Sequence, residues 1–400
     1  MAEIQIPKRT KKEKEALISQ VIEMMAIPGK SGEEQQIAEY IRNQLVDAGA
    51  DPKAIRTDTS HRKTRIKGEV GNLVFKLPGT YKAPRRMLSA HMDTVPICEG
   101  CRPKRVGMRV TSMDKHTGLG ADNRAGCGVV LSTALEILRR GLEHPPLTFT
   151  WFVQEEVGLQ GSRHATTSLF GNPELAFNWD GGSPVKMTVG ATGGYRMTIN
   201  VQGIASHAGV CPERGVSAIA IASLAIADLQ ENGWHGAIKK GKQTGTSNVG
   251  IVRGGNATNV VTDHVYVRAE ARSHHSNFRK RIVREIEKAF ERAVKKIKNV
   301  EGERGSVKIE GFLDYDSFKL SPKEPCVQIA SSVIRSLNYE PLPAIADGGL
   351  DANWITKHGV PTVSMGCGQL NAHMVTETLN LKEYLIACDI GLAISLGAEG

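Results

Sequence analysis

The sequence predicts an α/β fold split by an inserted second domain, and three observations carry that expectation. In the first part of the chain, short apolar runs of strand character alternate with longer stretches of helical periodicity. After GATGGY (190–195) the pattern becomes β-rich and holds only two helical segments. From Pro325 the alternation of helix and strand resumes, so the first domain is discontinuous. The expected division is 1–192 for the first part of a catalytic α/β domain, 193–312 for the insert and 313–400 for the second part.

Helices are expected near 10–28 and 33–49, and from Arg124 to Arg140, where AGCGVVLSTALEIL carries an apolar stripe. RMLSAH (86–91), LTFTWFVQ (147–154) and ELAFNWD (174–180) read as buried strands. Each delivers a polar residue at its end, where open α/β sheets bind ligands. In the insert, YRMTINVQ is a strand, Val216 to Leu229 a helix, and SNVGIVRG and VVTDHVYVRAEARS hold two more strands. A second helix follows, in which Phe278, Ile282, Ile286, Phe290, Ala293 and Ile297 recur at helical spacing, and SVKIEGF closes the module. The order βαββαβ is that of a two-layer, ferredoxin-like domain.

Composition narrows the function. The net charge of +9 would suit a nucleic-acid partner, but the Lys and Arg residues are scattered, and those from Arg279 to Lys298 lie opposite an apolar helix face. No nucleic-acid partner is expected. No stretch approaches the roughly eighteen consecutive apolar residues of a membrane span, and the charged start MAEIQIPKRTKKEKEALI lacks a signal peptide's apolar core. A cytoplasmic protein without a membrane partner is the expectation. Seven cysteines, an odd number, fit reduced thiols, and Cys98 and Cys101 in CEGC have no second pair with which to build a zinc ribbon.

Five potential metal ligands, His91, Asp122, Glu156, Asp180 and His373, fall where expected strands run into loops. Such a set can hold two hard divalent cations around one shared carboxylate and activate water for hydrolysis. In SAHMDTVP, Asp93 stands two residues after His91 and can reach the imidazole nitrogen that a metal does not use. Asp122 in GLGADNRAG lies between glycines and a helix start; taken alone it would read as an N-cap. Glu155 and Glu156 close a buried strand, where adjacent carboxylates repel unless cations or protons neutralise them. One could bind metal while the other faces the attacking water.

HMDTVP, GLGADNRAG, WFVQEEVGLQGS, NWDGG and GCGQLNAHMVTE resemble, in order and spacing, the motifs of the M20 family of zinc exopeptidases, particularly its peptidase T-like branch. The resemblance implies a catalytic domain of the zinc exopeptidase type carrying an inserted lid. It also implies two divalent cations per chain, Zn2+ with Co2+ or Mn2+ as alternatives. Asp122 would bridge them, His91 and Asp180 would complete one site, and Glu156 and His373 the other. Glu155 would be the general base and Asp93 the residue orienting His91. In the lid, His207 of ASHAG would help hold the oxyanion, often across the interface of a homodimer, and Asn256 and Arg272 would bind the substrate's polar groups and carboxylate. Gly348 and Gly349 match a substrate-binding loop. Met374 and Val375 replace a Thr-Thr pair common among relatives. The expected activity is cleavage of short peptides, tripeptides first, by an aminopeptidase. The alternatives are a carboxypeptidase, dipeptidase or N-acyl-amino-acid deacylase and, more remotely, a non-catalytic metal-binding scaffold or a nucleic-acid binder.

Overall fold

A computed structural model describes residues 7–397. The first helix, Lys11–Ala26, begins at a capping box: Glu13 N donates to Thr10 Oγ1 at 3.2 Å, and Thr10 N donates to Glu13 Oε2 at 2.6 Å. Gln35–Asp47 follows as a second helix, burying Ile37, Ile41 and Leu45 at helical spacing.

The chain forms two compact units. One holds the described residues through Ala191 together with Lys319–Ala346 and those from Leu350 onward; the other holds Thr192–Phe318 and Asp347–Gly349. The insert thus runs a few residues past the 312 expected from sequence, because the strand Ser306–Tyr315 continues through SVKIEGF into LDY.

Four parallel strands form the middle of the first unit's main sheet, in the order Leu147–Phe152, Arg86–His91, Leu175–Trp179, Thr362–Met365. Both faces are covered, so every residue of these four strands is buried, polar ones such as Ser89, Thr148, Thr150, Asn178 and Ser364 included, and each strand reads as a short run rich in apolar residues. Parallel pairing brings all four carboxyl ends to one edge of the sheet. The helix Ala121–Arg140 packs across the His91 strand and against Lys11–Ala26 and the last helix, Leu381–Leu396. That last helix is buried nearly all round and starts where Asn380 Oδ1 accepts from Lys382 N and Glu383 N at 3.0 and 3.4 Å.

A small antiparallel sheet, unexpected from sequence, runs Gln369–Leu370, Thr378–Asn380, Arg109–Ser112, Pro103–Val106. Its strands are too short and too exposed to give a periodic signal. It anchors both ends of the loop that carries His373.

The second unit is a five-stranded antiparallel sheet in the order Gly236–Lys240, Gln243–Gly254, His264–Ser273, Gly193–Gln202, Ser306–Tyr315. Two helices, Ala218–Glu231 and Ser276–Lys296, pack on each other and on the sheet. The expected stripe is buried at Phe278, Ile282, Ile286, Phe290 and Ala293, joined by Ile221, Ala225, Val265 and Val267. Each fully buried large apolar side chain of this kind contributes roughly 1.5–3 kcal/mol. The order βαββαβ needs one correction: the strand Gly236–Lys240 adds a hairpin before Gln243–Gly254. Lysine-rich and half-exposed, it buries only Ile238, so no alternation marks it, and Gly241 at φ +64° makes its tight turn. Among the described residues, no helix is long and apolar enough to cross a membrane.

Candidate active site

The carboxyl edge of the parallel strands gathers most of the candidate ligands. His91 is the last residue of its strand, Asp180 follows Trp179 directly, and Glu155 and Glu156 come three and four residues after Phe152. Asp122 and His373 reach the same place differently from the strand-end positions expected. Asp122 follows the glycine loop before the Ala121–Arg140 helix with a non-helical backbone (φ −81°, ψ 103°), and its peptide bond to Asn123 is cis. His373 sits in the loop of the small sheet at φ +64°. The helix cap that Asp122 alone would suggest falls to its neighbour, since Gly126 N donates to Asn123 Oδ1 at 3.1 Å. The Asp122 carboxylate is left for other work.

Its two oxygens face different partners. Oδ1 lies 3.3 Å from His91 Nε2, and Oδ2 lies 3.1 Å from His373 Nε2. His373 Nε2 is also 2.9 Å from Glu156 Oε1. One set of ligand atoms comes from His91, Asp122 and Asp180, another from Asp122, Glu156 and His373; within each set the atoms lie within 4.8 Å of one another. Asp122 belongs to both. Its buried Oδ1 makes no hydrogen bond although the His91 nitrogen stands opposite. Two metal-ligand atoms facing each other in this way suit a shared cation, and the second set repeats the same His and carboxylate chemistry, so the residues present fit two metal ions. His91, Glu155 and Glu156 also come within that distance of one another.

Asp93 is wholly buried and makes four contacts. Its Oδ1 is 3.4 Å from His91 Nδ1, while Glu155 N donates to Oδ1 at 2.9 Å, Glu156 N to Oδ2 at 3.1 Å and Ser31 Oγ to Oδ2 at 2.6 Å. It therefore touches the His91 ring and fixes the backbone of both glutamates. His91 Nδ1 is also 3.1 Å from the Asp93 carbonyl.

A family model for peptidase family M20/M25/M40 matches residues 87–395. The chain is an M20 peptidase. An uncharacterized protein of Bacillus subtilis (strain 168) is 30% identical over 380 residues, covering 94% of this chain and 97% of its own. The crystal structure of a tripeptidase from Staphylococcus aureus superposes with a TM-score of 0.86 at 28% identity, covering 96% of this chain and 98% of that one. That of aminopeptidase PepT from Bacillus cereus gives 0.83 at 28% identity, with coverage of 96% and 98%. This M20 peptidase therefore stands in the peptidase T-like branch and is a peptide hydrolase of a metal-dependent family.

The electrostatics of the M20 site are those of crowded carboxylates. Burial pushes Glu155 well above the usual carboxylate range, reinforced by Glu156, Asp351 and Asp180 and opposed by His91. Burial likewise lifts Glu156 to about 7, and burial with Asp122 lifts Asp180 to about 6. Asp122 and Glu156 hold His373 up at about 10. Burial disfavours a charged ring at His91, but Asp122 and Asp93 outweigh it and raise its pKa well above the usual value. Excess negative charge in a small volume is the condition that divalent cations relieve.

Sequence reasoning missed several residues of this site. Gln369 Nε2 donates to Asp180 Oδ1 at 3.1 Å, and Glu34 Oε1 accepts from Gln154 N at 3.0 Å beside the strand that leads to Glu155. Asp351, in GGLDAN, is wholly buried beside Ser162, and burial lifts it to about 7. Glu377 holds the loop before Asp122. A run such as MVTE gives no sign that its glutamate is buried; only the tertiary pairing does.

In the second unit, the segment 206–208 pairs with 259–261, which sets the loop carrying Asn256 beside that of His207. Gly209 N and Val210 N each donate to His207 Nδ1 at 3.2 Å, so the neutral ring carries its proton on Nε2. Arg272 is bidentate on Glu270, with Nε to Oε1 at 2.8 Å and Nη2 to Oε2 at 3.1 Å. Its fork is thus already engaged within its own strand. Gly348 has open space around it, whereas a Cβ at Gly349 would meet the Tyr315 ring at 2.5 Å.

Proposed function

We propose that this M20 peptidase is an aminopeptidase for short peptides that works with two divalent cations, Zn2+ first among them, held by His91, Asp122, Glu156, Asp180 and His373. The observation that carries the reading is the Asp122 carboxylate, whose oxygens face His91 and His373 separately. When bound, two such ions lower the pKa of water and polarise the scissile carbonyl. Glu155 takes the proton of the attacking water and returns it to the leaving amine, and a carboxyl held well above its usual range is suited to that exchange. Asp93 holds Glu155 and Glu156 in place through their peptide N–H groups. His207, with its proton on Nε2, is the hydrogen-bond donor to the oxyanion.

The preference for a free amine is supported by what the similar structures are, a tripeptidase and an aminopeptidase. Asn256 and Arg272 receive the carboxyl-terminal half of the peptide, Arg272 by exchanging its Glu270 partner for the substrate carboxylate, and the Gly348–Gly349 loop contacts the substrate. We also propose a homodimer through the inserted domain, whose helix Ala218–Glu231 leaves Ile219 and Leu224 exposed. The test is hydrolysis by the metal-loaded enzyme of one tripeptide in free, N-acetylated and C-amidated forms. The free peptide should be cleaved fastest and the acetylated one not at all. Faster cleavage of the acetylated peptide would replace this reading with a deacylase or carboxypeptidase.

A further inference from the structure

Glu377 is buried to 2% exposure, four residues beyond His373, and three peptide N–H groups of one loop converge on its carboxylate. Leu119 N and Gly120 N donate to Oε2 at 2.8 and 2.7 Å, and Asp122 N donates to Oε1 at 2.8 Å. The Cys98 thiol stands 3.7 Å from Oε2 as a fourth donor. We propose that Glu377 is a positioning residue for metal binding: it clamps the loop Leu119–Asp122 so that the Asp122 oxygens face His91 and His373, the residues that with it would hold the ions, and it locks that loop to the one carrying His373.

Two features separate this role from ordinary loop stabilisation. The first is connectivity. Asp122 and His373 lie 251 positions apart, and their side chains converge at 3.1 Å. Glu377 joins their loops by contacts that involve neither ligand's own side chain. The loops also interlock sterically, since a Cβ on Gly118 would lie 2.8 Å from Cys98 Sγ and 3.3 Å from the Met374 carbonyl oxygen. The second feature is charge. Three N–H groups need only an acceptor, and a neutral one would avoid adding negative charge beside Asp122. A buried carboxylate there is favourable once cations occupy the centre, and hydrogen bonds from N–H groups to a charged acceptor are stronger than neutral ones. Partners of this kind around metal ligands typically set affinity by about 10- to 100-fold.

The inference rests on the two-ion reading, and the experiment separates the two. Titrate the metal-free full chain with Zn2+ and with Co2+ against a chromophoric chelator, for the unsubstituted protein, Glu377→Gln and Glu377→Asp, and measure each metal-free denaturation midpoint. Glu377→Gln sets an NH2 group against a peptide N–H, and Glu377→Asp keeps the charge but is one methylene too short to reach the amides. Both should weaken at least one ion by roughly 10- to 100-fold. Bound Co2+ should show an altered visible spectrum, and at saturating metal kcat should fall while KM for a tripeptide stays within about twofold. A lower denaturation midpoint with unchanged affinity for both ions would reduce Glu377 to a structural residue. Restored affinity in Glu377→Asp would show that charge alone matters and would also overturn the clamp. Should Glu377→Gln fail to fold, Glu377→Asp carries the same titration. An unsubstituted protein that takes up no metal would bring down the two-ion reading itself, whereas two ions bound equally well by all three proteins would bring down this inference alone.

Discussion

Replacing Asp93 by Asn preserves side-chain volume but turns one acceptor oxygen into a donor in a place where only donors converge. Oδ1 accepts from Glu155 N, and Oδ2 accepts from Glu156 N and Ser31 Oγ. If the new NH2 group takes the Oδ2 position, the Ser31 hydroxyl can rotate and accept, but the Glu156 N–H loses its partner. If it takes the Oδ1 position, the Glu155 N–H is orphaned and the NH2 faces His91 Nδ1. Either way a buried peptide N–H goes unsatisfied, at about 1–3 kcal/mol, and the surviving bonds lose their charge assistance. The expected total is about 2–4 kcal/mol of lost stability in the metal-free protein. Because the displaced segment carries Glu155, kcat should also fall by roughly 10²-fold. Urea denaturation of the metal-free proteins and steady-state kinetics at saturating metal read the two effects. A variant within about 0.5 kcal/mol of the parent, at the noise of surface substitutions, and with undiminished kcat would refute the reasoning.

Three further outcomes are expected. Glu155→Gln should lower kcat by roughly 10²-fold or more with metal content nearly unchanged, whereas Glu156→Gln should weaken one metal site; elemental analysis that reverses this pattern would exchange their roles. Metal uptake should release protons, because ligands bind deprotonated while Glu156, near 7, and His373, near 10, hold protons in the metal-free site. Affinity should therefore fall as pH drops through 7, and calorimetry in buffers of different ionisation enthalpy should detect the released protons; affinity that rises on acidification would contradict the ligand assignment. Mixing His207→Ala with Glu155→Gln should recover part of the activity if His207 serves the partner's site, while absence of recovery under demonstrated subunit exchange would make each site complete within one chain.

The legible parts of the sequence were those with strong local signals. Short runs rich in apolar residues marked the strands ending at His91, Phe152 and Trp179, even though Arg86, Ser89, Thr148, Thr150 and Asn178 are buried among them. The spacing of Phe278, Ile282, Ile286 and Phe290 marked the helix they line. The hairpin strand Gly236–Lys240 and the small sheet around His373 escaped because short, exposed strands carry no pattern. Motif order brought the five ligand candidates to notice, but the groups that hold them were hidden. Glu377, Gln369, Asp351 and Glu34 lie in unremarkable local contexts, and their contacts or burial arise only when distant segments meet. Arg272 came to notice only through the family resemblance, which gave no sign that its strand neighbour Glu270 accepts from two of its nitrogens.

The central claim is that Asp122 bridges two cations, and a crystal of the Zn2+-loaded protein measured at the zinc absorption edge tests it most directly. The account predicts two anomalous peaks about 3.5–4 Å apart with one Asp122 oxygen toward each, His91 and Asp180 on one ion and Glu156 and His373 on the other. A single peak in a fully active, metal-saturated crystal, or two ions that do not share Asp122, would contradict it.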